Sequence, residues 1–159
     1  MDLPYQTHRA ATTTRALSTL GDCATWDAAV QTFLRCRALS TSSEQFGPYA
    51  KAVEAFNVAK IAVEDKFGRN WRDNAEAKAI MALASTALDT AQTAQDENYY
   101  SPLWEAERKL VHTAPPTLNA ALFKAELIDA EEVWNDTELG ADAFEIVAQD
   151  LARFEGEGA

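Results

Sequence analysis

Histidine and cysteine are the scarcest reactive side chains in this 159-residue chain, two of each, and their spacing bounds the chemistry open to them. A zinc or di-iron centre in a helical protein needs ligands one turn apart, as in H-E-x-x-H or paired E-x-x-H, so that they converge on one ion. His8 and His112 stand far apart and in no such motif. No metal is expected, and each histidine reads as a surface residue. His112, at the end of an expected helix, would complement the negative end of the dipole when protonated. Cys23 and Cys36, with no export signal before them, read as reduced thiols. Cys36 falls on an apolar helical face, where it acts as a small hydrophobe. The six glycines stand singly, so no phosphate-cradling G-x-x-x-x-G-K or G-x-G-x-x-G is built, and no G-x-S-x-G elbow occurs. No cofactor is expected, and the chain does not read as an enzyme.

Carboxylates are the one abundant chemical group. Glu126, Asp129 and Glu132 recur every third residue along one side of an expected helix. Acid–base catalysis of the glycosidase kind needs two carboxyls facing each other across a cleft, and a single helix offers no facing partner. The charge distribution is more informative. Residues 1–72 carry nine Lys/Arg and seven Asp/Glu, whereas residues 73–159 carry five and eighteen. From Ala125 onward eleven acids face Arg153 alone. Such a segment projects a negative potential over about 8 Å at physiological salt, repelling nucleic acid and anionic membrane and attracting basic protein surfaces. Glu126, Asp129, Glu131, Glu132, Asp136, Glu138, Asp142 and Glu145 are the candidate partner-binding residues. In the first half, cations such as Arg35, Arg37, Lys60 and Arg72 are interspersed with acids, too balanced for a nucleic-acid footprint. Some of them are expected to face the acids of the second half.

The elements that must position these groups are helical. Alanine, the best intrinsic helix former, occurs 31 times, and no stretch alternates β-branched with polar residues as a half-buried strand would. The expected fold is all-α: one domain over 1–159, a bundle of five or six helices, with 1–24 and 155–159 loosely ordered. A helix over 26–39, capped by Thr25, puts Trp26, Ala29, Val30, Phe33 and Cys36 on one face. Ser40 to Glu44 reads as a loop. Pro48 opens a helix that Gly68 closes, with Tyr49, Ala52, Val53, Phe56, Ala59, Val63 and Phe67 inward. The next helix runs to about Gln95, with Ile80, Leu83, Ala84, Ala87, Leu88, Ala91 and Ala94 inward, and Asp96 to Asn98 reads as a turn. A helix over 101–112 ends before Pro115-Pro116, and another follows to about Trp134. That helix is apolar on two sides: Leu118, Ala121, Leu122 and Ala125 on one, Phe123, Leu127, Ala130 and Trp134 on the other. Leu118 and Leu122 are therefore a candidate apolar interface. The last helix, capped by Asp136 or Thr137, turns Ala143, Phe144, Val147, Leu151 and Phe154 inward.

The stretch Thr113-Ala114-Pro115-Pro116-Thr117-Leu118 through Lys124-Ala125-Glu126-Leu127, after an Ala-rich helix, resembles short helical proteins of alphaproteobacterial chromosomes and prophages that have no assigned activity. The resemblance implies a bacterial or phage origin and no site residues. The longest apolar run, Ala79 to Ala84, is far short of the roughly 20 residues a membrane span needs, and the N-terminus has no apolar signal region. The cytoplasm is the expected location. The function expected is binding of a basic protein surface, in its sharpest form inhibition of a nucleic-acid-binding protein by charge mimicry. An assembly subunit of a phage or complex, packing through Leu118 and Leu122, is the alternative, and an enzyme whose site only the folded arrangement creates is the lesser one.

Overall fold

Asp22 starts the first helix. Its carboxylate accepts from the Thr25 N–H and hydroxyl, both at 2.8 Å, which lowers its pKa and satisfies an otherwise orphaned donor. The computed structural model describes residues 21–131, 133 and 139–155, and among them the chain is all-α, without a strand. The helices are α1 (Cys23–Phe46), α2 (Pro48–Phe67), α3 (Ala75–Gln95), α4 (Ser101–His112), α5 (Leu118–Ala130) and α6 (Gly140–Glu155). The cap is Asp22 rather than Thr25, which lies inside the first turn.

Two expected breaks leave the chain helical. Ser40 to Glu44 continues α1, because Ser40 and Ser43 are buried against the opposing helix instead of being solvated as a loop. The Gly47 N–H still donates to the Ser43 carbonyl at 2.8 Å, so α2 follows α1 end to end. Asp96 to Tyr100 is not a turn but a π-helical turn, with Gln95, Asp96, Tyr100 and Ser101 all in right-handed helical conformation. It joins α3 to α4 and inserts one residue into the facing pattern.

The result is a hairpin of two long limbs. Limb one (α1–α2) climbs, Gly68 at φ 77° stops it, the 3-10 turn Trp71–Asp73 reverses the chain, and limb two (α3–α4) returns antiparallel. At 1.5 Å per residue, limb two is about 57 Å long. Packing of α2 on α3 and of α1 on α4 holds the limbs together along their length, and α5 and α6 pack on each other and on α4. The helical segments thus act as four rods, fewer than the five or six separate helices expected.

Three small cores hold this together. At the base Trp26, Ala29, Phe33, Ala106, Leu110 and Leu127 join α1, α4 and α5. Beside it Val111, Ile128, Val133, Leu139 and Ala143 tie α6 in. Towards the tip Val63, Ala77 and Met81 are buried with Phe56, Ala59, Phe67 and Trp71 packed on them. The inner face of α3 differs from the expectation. Ala77 and Met81 point inward, while Ile80 and Leu83 are exposed, because only two helices meet along this part of the hairpin and each buries one seam. Phe144 and Trp104 are likewise exposed.

Halfway along, polar groups replace apolar ones. The Ser43 hydroxyl donates to Gln95 Oε1, and both residues are buried. Nearby the Tyr100 hydroxyl donates to Glu44 at 2.7 Å, and its ring stacks on Trp104. That hydrogen bond to Glu44, then burial, raises the Tyr100 pKa above the ordinary phenol range. A raised folded-state pKa means that the contact stabilises the fold below about pH 10 and is lost as pH rises through the folded value. Glu44→Gln is expected to shift the Tyr100 titration back towards the ordinary phenol value, read by NMR of ring-labelled tyrosine.

Candidate functional site

The base of the molecule is organised around a buried lysine. In α5, Lys124 follows Ala120, Ala121, Leu122 and Phe123, and it shares a helical face with buried Ala121, Leu127 and Ile128. Its side chain is 1% exposed, and that of its partner Asp150 on α6 is 3% exposed. The ammonium donates to Asp150 Oδ2 at 2.6 Å, to the Thr113 carbonyl at 2.6 Å and to the Val111 carbonyl at 2.8 Å. All three of its protons are therefore used. The Trp26 ring of α1 lies 5.6 Å from it. Arg153, one turn beyond Asp150, reaches the other carboxylate oxygen at 2.9 Å.

This knot clamps the last carbonyls of α4 to α5 and α6. Burial pushes the Lys124 pKa down, against the hydrogen bond and charge of Asp150, which push it up. The arrangement is not that of a catalytic lysine. A nucleophile needs a free lone pair facing a cavity, and this nitrogen is encased and saturated. The open clefts lie elsewhere. One, near the tip, is lined by Phe56, Lys60, Trp71, Arg72, Met81 and Ser85. Another, beside α1, is lined by Trp26, Asp27, Val30, Gln31 and Phe123. In neither is a hydroxyl or thiol hydrogen-bonded to a base, although Ser85 and Lys60 line the same cleft. No cluster of three metal-ligating side chains occurs among the described residues, Cys23 and Cys36 are free thiols, and His112 is exposed in the last turn of α4.

The candidate acids divide into three groups. Glu126 and Asp129 on α5, and Asp142 and Glu145 on α6, are exposed and form no ion pair among the described residues. Gln149 donates to Glu145 at 2.9 Å. Glu131 is instead half-buried at the end of α5 and lies 2.7 Å from Arg37 of α1, a first-half cation neutralising a second-half acid. Glu132, Asp136 and Glu138 lie outside the described residues, as do the expected cap at Asp136 or Thr137, Trp134, His8, and the tail from residue 156. Of the loosely ordered ends expected, Cys23, Ala24 and Glu155 are helical.

Leu118 and Leu122 stand about half-exposed on the outer side of α5, while Ala121 between them is fully buried. Phe123 meets Trp26 edge-on at 6.5 Å. Lys124 is not among the candidate residues of the sequence, and Asp150 stands there only as one of the eleven acids after Ala125. The signal was present: Asp150 falls one and two turns after Val147 and Ala143, on the apolar face of α6, where a carboxylate requires a buried cation.

No helix among the described residues is long and apolar enough to cross a membrane. Compared with known proteins, the chain matches no family model, no curated protein and no solved structure.

Proposed function

We propose that this protein is a non-enzymatic binding module whose acidic C-terminal helices engage a basic protein surface. One observation carries this. Glu126, Asp129, Asp142 and Glu145 stand in solvent on α5 and α6, while the acids that the fold itself uses, Glu131 and Asp150, are paired with Arg37, Lys124 and Arg153. Carboxylates held on helices carry the sign of phosphates, which suits them to occupy a nucleic-acid-binding channel. The sharper form of the proposal is a cytoplasmic, mobile-element-encoded inhibitor of a nucleic-acid-binding protein.

The test is the salt dependence of binding to a partner recovered by low-salt affinity capture. Charge-driven binding is expected to weaken on the order of 100-fold between about 50 and about 300 mM salt, and duplex DNA is expected to displace the partner. Salt-insensitive binding would instead support the second reading, an assembly subunit. That reading is favoured by the exposure of Leu118 and Leu122 side by side on α5, and Leu122→Asp would then abolish the complex.

A further inference from the structure

Two helices packed along one seam leave the rest of each exposed, and here the two sides of the hairpin are unlike. Placing residues at 100° intervals about the buried seam puts Phe46, Ala55, Val58 and Ala62 of limb one on the same side as Ile80, Leu83 and Ala87 of limb two. The Lys66–Glu76 ion pair spans this side at the tip, at 2.8 Å. The opposite side is where α5 reaches limb one, through the Arg37–Glu131 pair, and where Lys60, Arg72 and Ser85 line a cleft. This side is largely apolar and well exposed, Leu83 at 75%, Phe46 at 74% and Val58 at 61%, and the same projection places one cation, the exposed Lys51, between Phe46 and Ala55.

We propose that this side binds a second copy of the chain, hairpin against hairpin with both tips at the same end, so that the arms form a four-helix bundle. In size, the stretch from Leu39 to Ala62 is about 35 Å long. Two helices wide, it offers about 700 Å² per copy, close to the roughly 800 Å² of a standard stable interface.

Shape agrees as well. A two-fold axis along the hairpin lays limb one over limb two of the other copy. The pairing that sets Ser43 beside Gln95, and Val63 in one cluster with Met81, fixes the heights. Phe46 then comes level with Ala94 and Ala62 with Ile80, large against small, as interdigitating layers require, while Ala55 and Ala87 meet as two small residues and let the backbones approach closely. Val58 and Leu83 meet between them.

The charges are compatible with this arrangement. Residues 47–95 contain six Lys/Arg and six Asp/Glu, so the arm is neutral although the chain carries −11. At the tip Lys66 faces Glu76 of the other copy, and near the base Arg35 faces Glu105, each twice by symmetry. α5 and α6 lie on the outer sides, which leaves their carboxylates free and far from those of the second copy.

Sedimentation velocity of the full chain is expected to show a dimer at micromolar concentration. Val58→Glu with Leu83→Glu, both at exposed positions, is expected to give a monomer with unchanged helical circular dichroism. In a background with Cys23 and Cys36 replaced by alanine, an Ala55→Cys chain mixed with an Ala87→Cys chain is expected to form an interchain disulfide, and Ala55→Cys alone none. A wild-type chain that stays monomeric up to about 200 μM, well above the micromolar range of specific association, would overturn the proposal. So would a dimer that survives the double substitution, or Ala55→Cys chains that link to each other.

Discussion

Lys124→Met is expected to lower the unfolding free energy by about 3–5 kcal/mol, the loss typical of a buried ion pair stripped of one partner. Methionine fills nearly the same volume, so the loss comes from electrostatics rather than a cavity. Asp150 would keep only Arg153, at its other oxygen, and the Val111 and Thr113 carbonyls would lose their donor. The double variant Lys124→Met with Asp150→Leu removes both charges together and is expected to recover more than half of the loss, because an apolar pair of similar size often replaces a buried ion pair without net cost. Urea unfolding followed by circular dichroism separates the two. Equal stability of the single variant and the wild type would mean that Lys124 is not buried against Asp150.

Phe33→Ala is expected to cost about 3–5 kcal/mol, while Leu34→Ala, one residue on, stays within about 0.5 kcal/mol of wild type. Phe33 is almost fully buried where α1, α4 and α5 meet, among Trp26, Ala29, Ala106, Leu110 and Leu127. Its removal costs both transfer free energy and a cavity that three rigid helices cannot close. Leu34 turns outward and is about half-exposed. Denaturant midpoints with unchanged slopes are the readout. Similar losses at both positions would place α1 in a different rotation from the one described.

How far the sequence could be read depended on which forces act locally. The seams of α1 and α2 were legible because one apolar face recurs every three to four residues: Trp26, Phe33 and Cys36 in the first, Phe56, Val63 and Phe67 in the second. Helix ends with a local mechanism were legible too, as at Pro48 and Gly68. On α3 the periodicity misled. Alanine is apolar on every side of this helix, so the larger Ile80 and Leu83 outweighed Ala77 and Met81, and only the position of α2 decides between the faces. Ser40 to Glu44 is a loop by composition, and tertiary contact with Gln95 and Tyr100 overrides that preference. Likewise Lys124 and Asp150 are 26 residues apart in sequence, and no short window relates them. The acidic character of the C-terminal part was evident at once, but the sorting of its acids into exposed and internally paired was not, because Arg37 and Lys124 reach them only in the folded chain.

The central claim is a division of labour among carboxylates, with Glu131 and Asp150 serving the fold and Glu126, Asp129, Asp142 and Glu145 serving the partner. Changing these last four to lysine in one variant, and measuring its unfolding free energy and its partner affinity side by side, tests this most directly. Stability within about 1 kcal/mol of wild type, as exposed positions allow, together with affinity reduced at least about 100-fold, roughly 2.7 kcal/mol, is the expected result. A folded variant that binds its partner as tightly as the native chain would contradict it.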